Sequence, residues 1–298
     1  MRSYRVICLA RHGIGPEVMA EASRALTATS RVHGFFVDEW YVPYGADALM
    51  RFGRPFPLSS RRALLEADAV LVASRSDAAL EADLDLRASV VRVRFGNEAE
   101  LSLLAPLADD AWEWTLERAF SLARESRARI ALVSVDDRWE REAEAVELRH
   151  DGLEVERLEP AAAMRGLVLT PELFDVVVCP PELARAAAEL AASFARNRTA
   201  AWGRLSDAPP SIFGAAHGLA DALAGHGVAD PSSMLLAAAL MLGEGLGERS
   251  AAATLAGAVG LAGRNGHRAS TRDQADLVLA QLPVAAANAE FHREAACG

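Results

Sequence analysis

The stretch Pro209–Gly247, PPSIFGAAHGLADALAGHGVADPSSMLLAAALMLGEGLG, divides into two halves of different character. The first is punctuated by Gly214, Gly218, Gly225 and Gly227, and closes on Asp230-Pro231. Glycines at that density let a backbone turn tightly and approach a ligand closely. The second half, Ser232 to Leu246, is apolar nearly all round and rich in Ala, Leu and Met, the composition of a buried or interface helix. Asp230 or Ser232 can cap that helix, and Pro231 suits its first position. The glycine spacing matches neither general phosphate-binding fingerprint. On pattern alone the stretch is a loop leading into a core helix.

Outward from it, strand and helix alternate. Short apolar runs predict strands at Tyr4–Ala10, Phe36–Val42, Ala69–Ala73, Val90–Phe95, Arg129–Val135, Gly152–Leu158 and Phe174–Cys179. Between them, helices are expected from Pro16 to about Ser30 and over Arg61–Ala67, Ala78–Ala88, Trp112–Ser126, Glu140–Leu148 and Glu182–Asn197. A short helix holds Ala161–Met164, another begins near Gly257, and Ser270-Thr271 caps a last one running to Leu282. That alternation indicates an α/β fold on a largely parallel sheet. The chain after Pro283 reads as a loosely attached tail.

Composition narrows the function. The formal net charge of −10 argues against nucleic acid or an anionic membrane as partner. No apolar run reaches the length of a membrane span, and nothing at the start reads as a signal peptide. Cys8, Cys179 and Cys297 are widely spaced without metal-ligand spacing, which suits a reduced cytoplasmic compartment. All 31 residues counted as Lys or Arg are arginine. Arginine is effectively never deprotonated, so no basic side chain besides histidine can carry a proton here.

The letters of the opening stretch resemble the nucleotide-binding loop of the isopropylmalate and isocitrate dehydrogenase family, F-E-P-V-H-G-S-A-P-D-I-A-G-K-G-I-A-N-P before an Ala/Met-rich helix. Phe213, His217, Gly218, Ala220, Ala224, Gly225, Gly227, Ala229 and Pro231 stand in matching places without a gap. The resemblance extends to Gly13-Ile14-Gly15-Pro16-Glu17-Val18, Ser134-Val135-Asp136 and Phe174–Cys179. It implies a two-domain fold with a largely parallel sheet. Residues 1–89 and 205–298 would form the nucleotide-binding-like domain, and residues 90–204 a smaller dimerising α/β domain. The dimer would pair Glu140–Leu148 and Glu182–Asn197 across a two-fold axis, as a homodimer or a heterodimer with an active paralogue. NAD or NADP would contact Ile14, His217, Gly218, Gly225 and Asp230, and Arg87 and Arg94 would hold substrate carboxylates. A plain alternative for those two is a pair of solvated arginines.

The family's reaction oxidises a 2-hydroxy acid and decarboxylates the product, using a divalent metal, a lysine and a tyrosine. At the positions the resemblance assigns to these groups the chain departs from the pattern. The lysine of S-V-D-K-A-N reads as Asp137, and the metal aspartates read as Ala161, Arg185 and Glu189. The segment that would carry the tyrosine is almost wholly missing before Trp112, and the only tyrosines are Tyr4, Tyr41 and Tyr44. The family's ribose-contacting aspartate reads as Ala222, and its adenine-contacting asparagine as Asp230. The expectation is a homologue without Mg²⁺ or Mn²⁺ and without the standard chemistry: a scaffold, a regulatory subunit or a binder of a small carboxylate. The alternative is a repurposed, metal-independent or NAD(P)-dependent enzyme on a 2-hydroxy or keto acid. Arg185 would then supply positive charge, and Asp136, Asp137, Glu189 and His217 would be the acid–base candidates.

Overall fold

The computed structural model describes residues 1–10, 12–74, 78–96, 99–193, 198–263 and 270–283; at 185, 188, 189, 191–193 and 198 it describes the backbone alone. Its strands are β1 (Arg2–Leu9), β2 (Phe35–Tyr41), β3 (Ala69–Val72), β4 (Leu86–Phe95), β5 (Ala99–Pro106), β6 (Arg129–Val133), β7 (Glu154–Leu158), β8 (Val176–Val178), β9 (Arg198–Ser206) and β10 (Ser211–Ala215). They form one ten-stranded sheet in the order β2-β1-β3-β10-β9-β4-β5-β8-β6-β7.

Pairing is parallel at both ends of this sheet and antiparallel in its middle. The β2-β1-β3-β10 block is parallel, as is β5-β8-β6-β7. Between them β9 and β4 pair antiparallel with each other and with β10 and β5. The two parallel blocks therefore run in opposite directions. The carboxyl ends of β1, β3 and β10 lie on one edge of the sheet, and those of β5, β6, β7 and β8 on the other. Ala88 pairs with Leu205, Ser89 with Arg204 and Val90 with Gly203, so the domain limits expected from the sequence fall on either side of the Ser89–Arg204 rung of the β4–β9 ladder.

The helices are α1 (Gly15–His33), α2 (Ala46–Phe52), α3 (Leu58–Leu65), α4 (Ala78–Glu81), α5 (Trp112–Glu125), α6 (Asp137–Glu147), α7 (Pro160–Leu169), α8 (Pro181–Ser193), α9 (Ser232–Leu240), α10 (Arg249–Ala262) and α11 (Thr271–Leu279). The apolar composition of Ser232–Leu246 is explained by its surroundings: every residue from Met234 to Leu242 is buried. Helix α9 packs on β9, β10, α1 and α10. It stops at Leu240, and Met241–Gly245 continues as a π turn rather than as α-helix.

Several expectations are corrected. The alanine-rich stretch Ala78–Ala88 is helical only to Glu81, because Leu86 and Ala88 are drawn into pairing with β9. Ser211–Ala215, read as loop, is a fully buried strand between β3 and β9. The short segment before Trp112 holds β5, which closes a hairpin with β4. Residues 75–77, residues 264–269 and the tail beyond Pro283 lie outside the described residues. No helix among the described residues is long and apolar enough to cross a membrane.

Candidate functional site

Two places on the molecule gather residues singled out by the sequence. The first is the loop from Ala216 to Pro231, at the carboxyl end of β10. It is tied down on both sides. The Ile14 N–H donates to the Leu219 carbonyl at 2.9 Å, and the Gly227 N–H donates to Glu17 Oε2 at 3.0 Å. Thr271 donates its N–H to the Gly227 carbonyl and its hydroxyl to the Ala229 carbonyl, both at 2.7 Å. At the loop's far end Ser233 Oγ accepts the Ala216 N–H at 3.1 Å.

The fit between the first turn and this loop is close. Gly13 has φ +64°, and a Cβ built on it would lie 2.0 Å from the Leu219 carbonyl oxygen. Ala220 also sits in the left-handed region at φ 45°, ψ 50°, an arrangement that costs alanine about 1–2 kcal/mol. Local strain of this kind persists only where surrounding contacts over-determine it.

Of the residues assigned to a nucleotide, Gly218 and Gly225 are exposed, with nothing within 4 Å of a built Cβ. His217 Nδ1 lies 2.9 Å from the Gly218 carbonyl, while its Nε2 is buried without a partner among the described residues. Glu17 Oε1 is likewise buried and unpartnered. Ile14 is 5% exposed, with its side chain in the core and its N–H already given to Leu219. Asp230 Oδ1 accepts the Ser232 N–H at 2.8 Å, so this carboxylate serves the start of α9. The loop is preformed and has unmet polar atoms at both flanks, which fits a nucleotide in outline. At Ala222 no polar side chain is present, and Asp230 is engaged with its own helix.

The second place is a cavity of about 410 Å³ at the opposite sheet edge, lined by Asp109, Trp112, Val135, Asp136, Arg138, Pro160, Pro180, Glu182 and Leu183. The approaches to α5, α6, α7 and α8 converge there, beyond the carboxyl ends of β5, β6, β7 and β8. Strand ends of this kind are where α/β sheets hold ligands. Asp136 caps α6, its Oδ1 accepting the Trp139 N–H at 2.8 Å. Asp137 is the first residue of α6 and is exposed. Cys179 follows β8 at the cavity's edge, fully buried, and burial pushes its thiol up to about 12, which removes it as a nucleophile near neutral pH.

The remaining candidates are not brought together. Arg87 and Arg94 lie seven residues apart on β4, about 23 Å at the rise of a strand. Arg87 binds Asp85 and Asp110 at 2.9 and 3.0 Å, and Arg94 binds Glu100 at 3.0 Å. Arg185 and Glu189 lie one turn apart on α8, and their side chains lie outside the described residues. The loop and the cavity are separated by five strand spacings from β10 to β6, about 24 Å.

Whether a divalent cation fits the family position can be tested on donor chemistry. Ala161, on α7, offers no side-chain ligand, and an arginine cannot ligate a cation, which leaves Glu189 alone. The set does not fit a metal. Among the described residues no group of three or more His, Cys, Asp or Glu side chains is placed to hold one. Sequence reasoning missed Glu17 and the cavity-lining Trp112 and Arg138. Only the GPEV turn hinted at Glu17, and nothing local marked the other two.

Comparison with known proteins agrees with the sheet. A 3-isopropylmalate dehydrogenase from Prochlorococcus marinus (strain NATL2A) is 26% identical over 338 residues, spanning 91% of this chain and 93% of that protein. A 3-isopropylmalate dehydrogenase from Bacillus cereus (strain ATCC 14579) is 28% identical over 306 residues, spanning 82% and 84%. Among solved structures, an isocitrate dehydrogenase from Methylococcus capsulatus superposes with a TM-score of 0.77 at 19% identity, covering 93% of this chain and 99% of that one. A β-decarboxylating dehydrogenase from Thermococcus kodakarensis gives 0.78 at 21% identity, covering 93% and 96%. These two likenesses establish the fold: mixed α/β on a large, mostly parallel sheet. The isocitrate/isopropylmalate dehydrogenase family profile matches residues 96–281, and with the relatives spanning nearly the full chain, the protein belongs to the isocitrate/isopropylmalate dehydrogenase family.

Proposed function

We propose that the protein is a family member without the standard oxidative decarboxylation, acting through binding as a regulatory subunit, a scaffold or a binder of an anionic metabolite. The observation that carries this is the identity and setting of Asp137. It stands where the resemblance puts the family's proton-carrying lysine, and it is an exposed residue in the first turn of α6. No lysine elsewhere in the chain can replace it. Proton transfer by a positioned side chain typically contributes ~10²–10⁴-fold, and removal of the metal donors compounds that loss. Its neighbour Asp136 has one carboxylate oxygen committed to capping α6.

The nucleotide loop belongs to the same reading. Its ties to Ile14, Glu17 and Thr271 favour retention of its shape, and His217 Nε2 and Glu17 Oε1 are buried atoms that a ligand or water could meet. NAD or NADP would supply hydride chemistry when bound. What this chain's residues do there is hold and orient the loop.

The test is an assay of purified protein with NAD or NADP, Mg²⁺ and isopropylmalate, isocitrate, malate or tartrate. The expected result is no turnover above background, with nucleotide binding measured separately by calorimetry. Steady NADH or NADPH production, abolished by Asp137→Ala or Arg185→Ala, overturns the reading and favours a repurposed enzyme.

A further inference from the structure

The sheet ends on β2 at one side and on β7 at the other, and the two edge strands are built differently. An edge strand presents a row of backbone N–H and C=O groups that a further strand can use, and proteins guard such rows with charge, brevity, proline or bulges. Strand β7 is short and reads EVERL, with three charged side chains in its five residues, and Arg129 of β6 lies 3.1 Å from Glu154. Strand β2 reads FFVDEWY over seven residues, pairs with β1 in one continuous register and contains no proline. Among the described residues the outer side of β2 makes no backbone hydrogen bond. Phe36, Trp40 and Tyr41 are all exposed.

Successive side chains point to opposite faces of a strand, so Phe36, Asp38 and Trp40 share the face on which β1 presents Arg5 and Ile7. Asp38 stands directly opposite Arg5 in the β1–β2 ladder. The Arg5 guanidinium goes elsewhere, lying 4.5 Å from the Trp40 ring centroid and 3.7 Å from Glu66. Asp38 accepts the Trp40 indole N–H at 2.7 Å and has no cationic partner among the described residues. The edge thus offers free backbone groups beside an apolar–acidic–apolar row. A second copy of the chain does not complement that row. Antiparallel pairing of β2 with itself that sets Phe36 against Trp40 also sets Asp38 against Asp38, and the next register sets Glu39 against Glu39. Like charges directly opposite destabilise a strand pair.

We propose that β2 is a docking edge that takes an extended segment of a protein partner as a further, antiparallel strand. The segment carries a basic residue opposite Asp38 and apolar residues two positions to either side, opposite Phe36 and Trp40. In this mode main-chain hydrogen bonds supply affinity and alternate side chains supply selectivity. The edge is three strands away from β10, so its use does not depend on the reading of the nucleotide loop or on the absence of turnover.

Fluorescence anisotropy of the full chain with a labelled, capped peptide TVTRTVT tests it, with hydrogen exchange followed over Phe35–Tyr41. The two valines and the arginine of the peptide reproduce the complementary row. Saturable binding is expected, with the amides of β2 protected in the complex. The peptide TVTETVT should bind the wild type more weakly by about two- to fivefold. Asp38→Lys should reverse that order, so that TVTETVT becomes the tighter ligand. The proposal is overturned if TVTRTVT does not bind the wild type saturably, if the two peptides bind the wild type equally, or if a folded Asp38→Lys keeps the wild-type order. Protection of Phe35–Tyr41 that rises with protein concentration in the absence of peptide also overturns it, since the occupant is then a second copy.

Discussion

The carboxylate of Glu17 accepts the backbone N–H of Gly227 at 3.0 Å, joining the first turn of α1 to a loop 210 residues later in the chain. Its other oxygen is buried without a partner among the described residues. A hydrogen bond to a charged group is worth about 1.5–3 kcal/mol, and a carboxylate in the first turn of a helix adds about 0.3–1 kcal/mol. Glu17→Ala should therefore lower stability by about 2 kcal/mol, and Glu17→Gln by about half that, because the amide oxygen can still accept. Denaturant unfolding gives the first quantity, and amide exchange at Gly227 should accelerate in step. Unchanged exchange there in Glu17→Ala would show that the bond does not hold the loop.

Gly13 and Gly34 separate steric from conformational demands. Both have positive φ, +64° and +72°. A Cβ at Gly34 meets nothing within 4 Å, whereas at Gly13 it would meet the Leu219 carbonyl oxygen at 2.0 Å and Asp221 Oδ1 at 2.9 Å. Gly34→Ala should cost only the left-handed backbone term, about 1–2 kcal/mol. Gly13→Ala must also push the loop away and stretch the Ile14–Leu219 bond, so it should cost at least about 2 kcal/mol more. Parallel thermal melts of the two variants check this. Equal losses would mean that the loop yields freely.

How much of this was legible beforehand depends on how far apart the determining residues lie. The strands β3 and β8 are unbroken apolar runs, β1 closes on one at Val6–Leu9, and α11 announces itself through Ser270, whose side chain and that of Asp273 form a reciprocal capping box. Those signals are local. By contrast, β9 reads RTAAWGRLS, with arginines and alanines that name no partner, and becomes a strand because β4 and β10 flank it. The same pairing overrides the helical preference of Ala78–Ala88. Arg92 shows the limit most clearly. By type it belongs on the surface, but it is 7% exposed because Glu244, 152 positions away, reaches it at 3.2 Å. The Glu17–Gly227 tie was invisible for the same reason: its partners meet only once the fold is formed.

Glu244 sits on the π turn between two guanidinium groups, Arg92 at 3.2 Å and Arg118 at 2.5 Å. Burial pushes its carboxyl up, but Arg92 and Arg118 together overcome that and hold it below the usual carboxylate range. A depressed folded-state value means that the unfolded chain binds the proton more readily. The resulting stability is fully present above the unfolded value, about 4.3, and is lost as pH falls through the folded one. Glu244→Gln should destabilise by about 3 kcal/mol at pH 7, because it leaves Arg92 buried with only Glu100 opposite. The gap between wild type and variant should narrow as pH falls below about 4. Urea titrations from pH 7 to 3 measure it. A gap independent of pH would mean that the variant loses packing rather than charge.

The last expectation concerns assembly, and the sheet itself motivates it. The nucleotide loop leaves β10 at one edge, while Asp136 and Asp137 begin α6 at the other, about 24 Å away along the sheet. One copy of the chain cannot bring both groups to one small ligand. A two-fold pairing through α6 and α8 offers a way to bring one copy's helix starts toward the other's loop. Leu148, directly after α6, is 82% exposed, which suits a surface that a second copy covers. Arg157 meanwhile bridges Glu140 and Glu147 on α6, fixing the charged side of that helix within the chain. Light scattering at micromolar concentration should give twice the 31.7 kDa chain mass. Leu148→Arg should shift the population toward monomer by placing like charges across the axis, with the melting temperature of the isolated chain little changed. A clean monomer for the wild type, alone and mixed with an active paralogue, would remove α6 and α8 as an interface and confine each site to its own sheet edge.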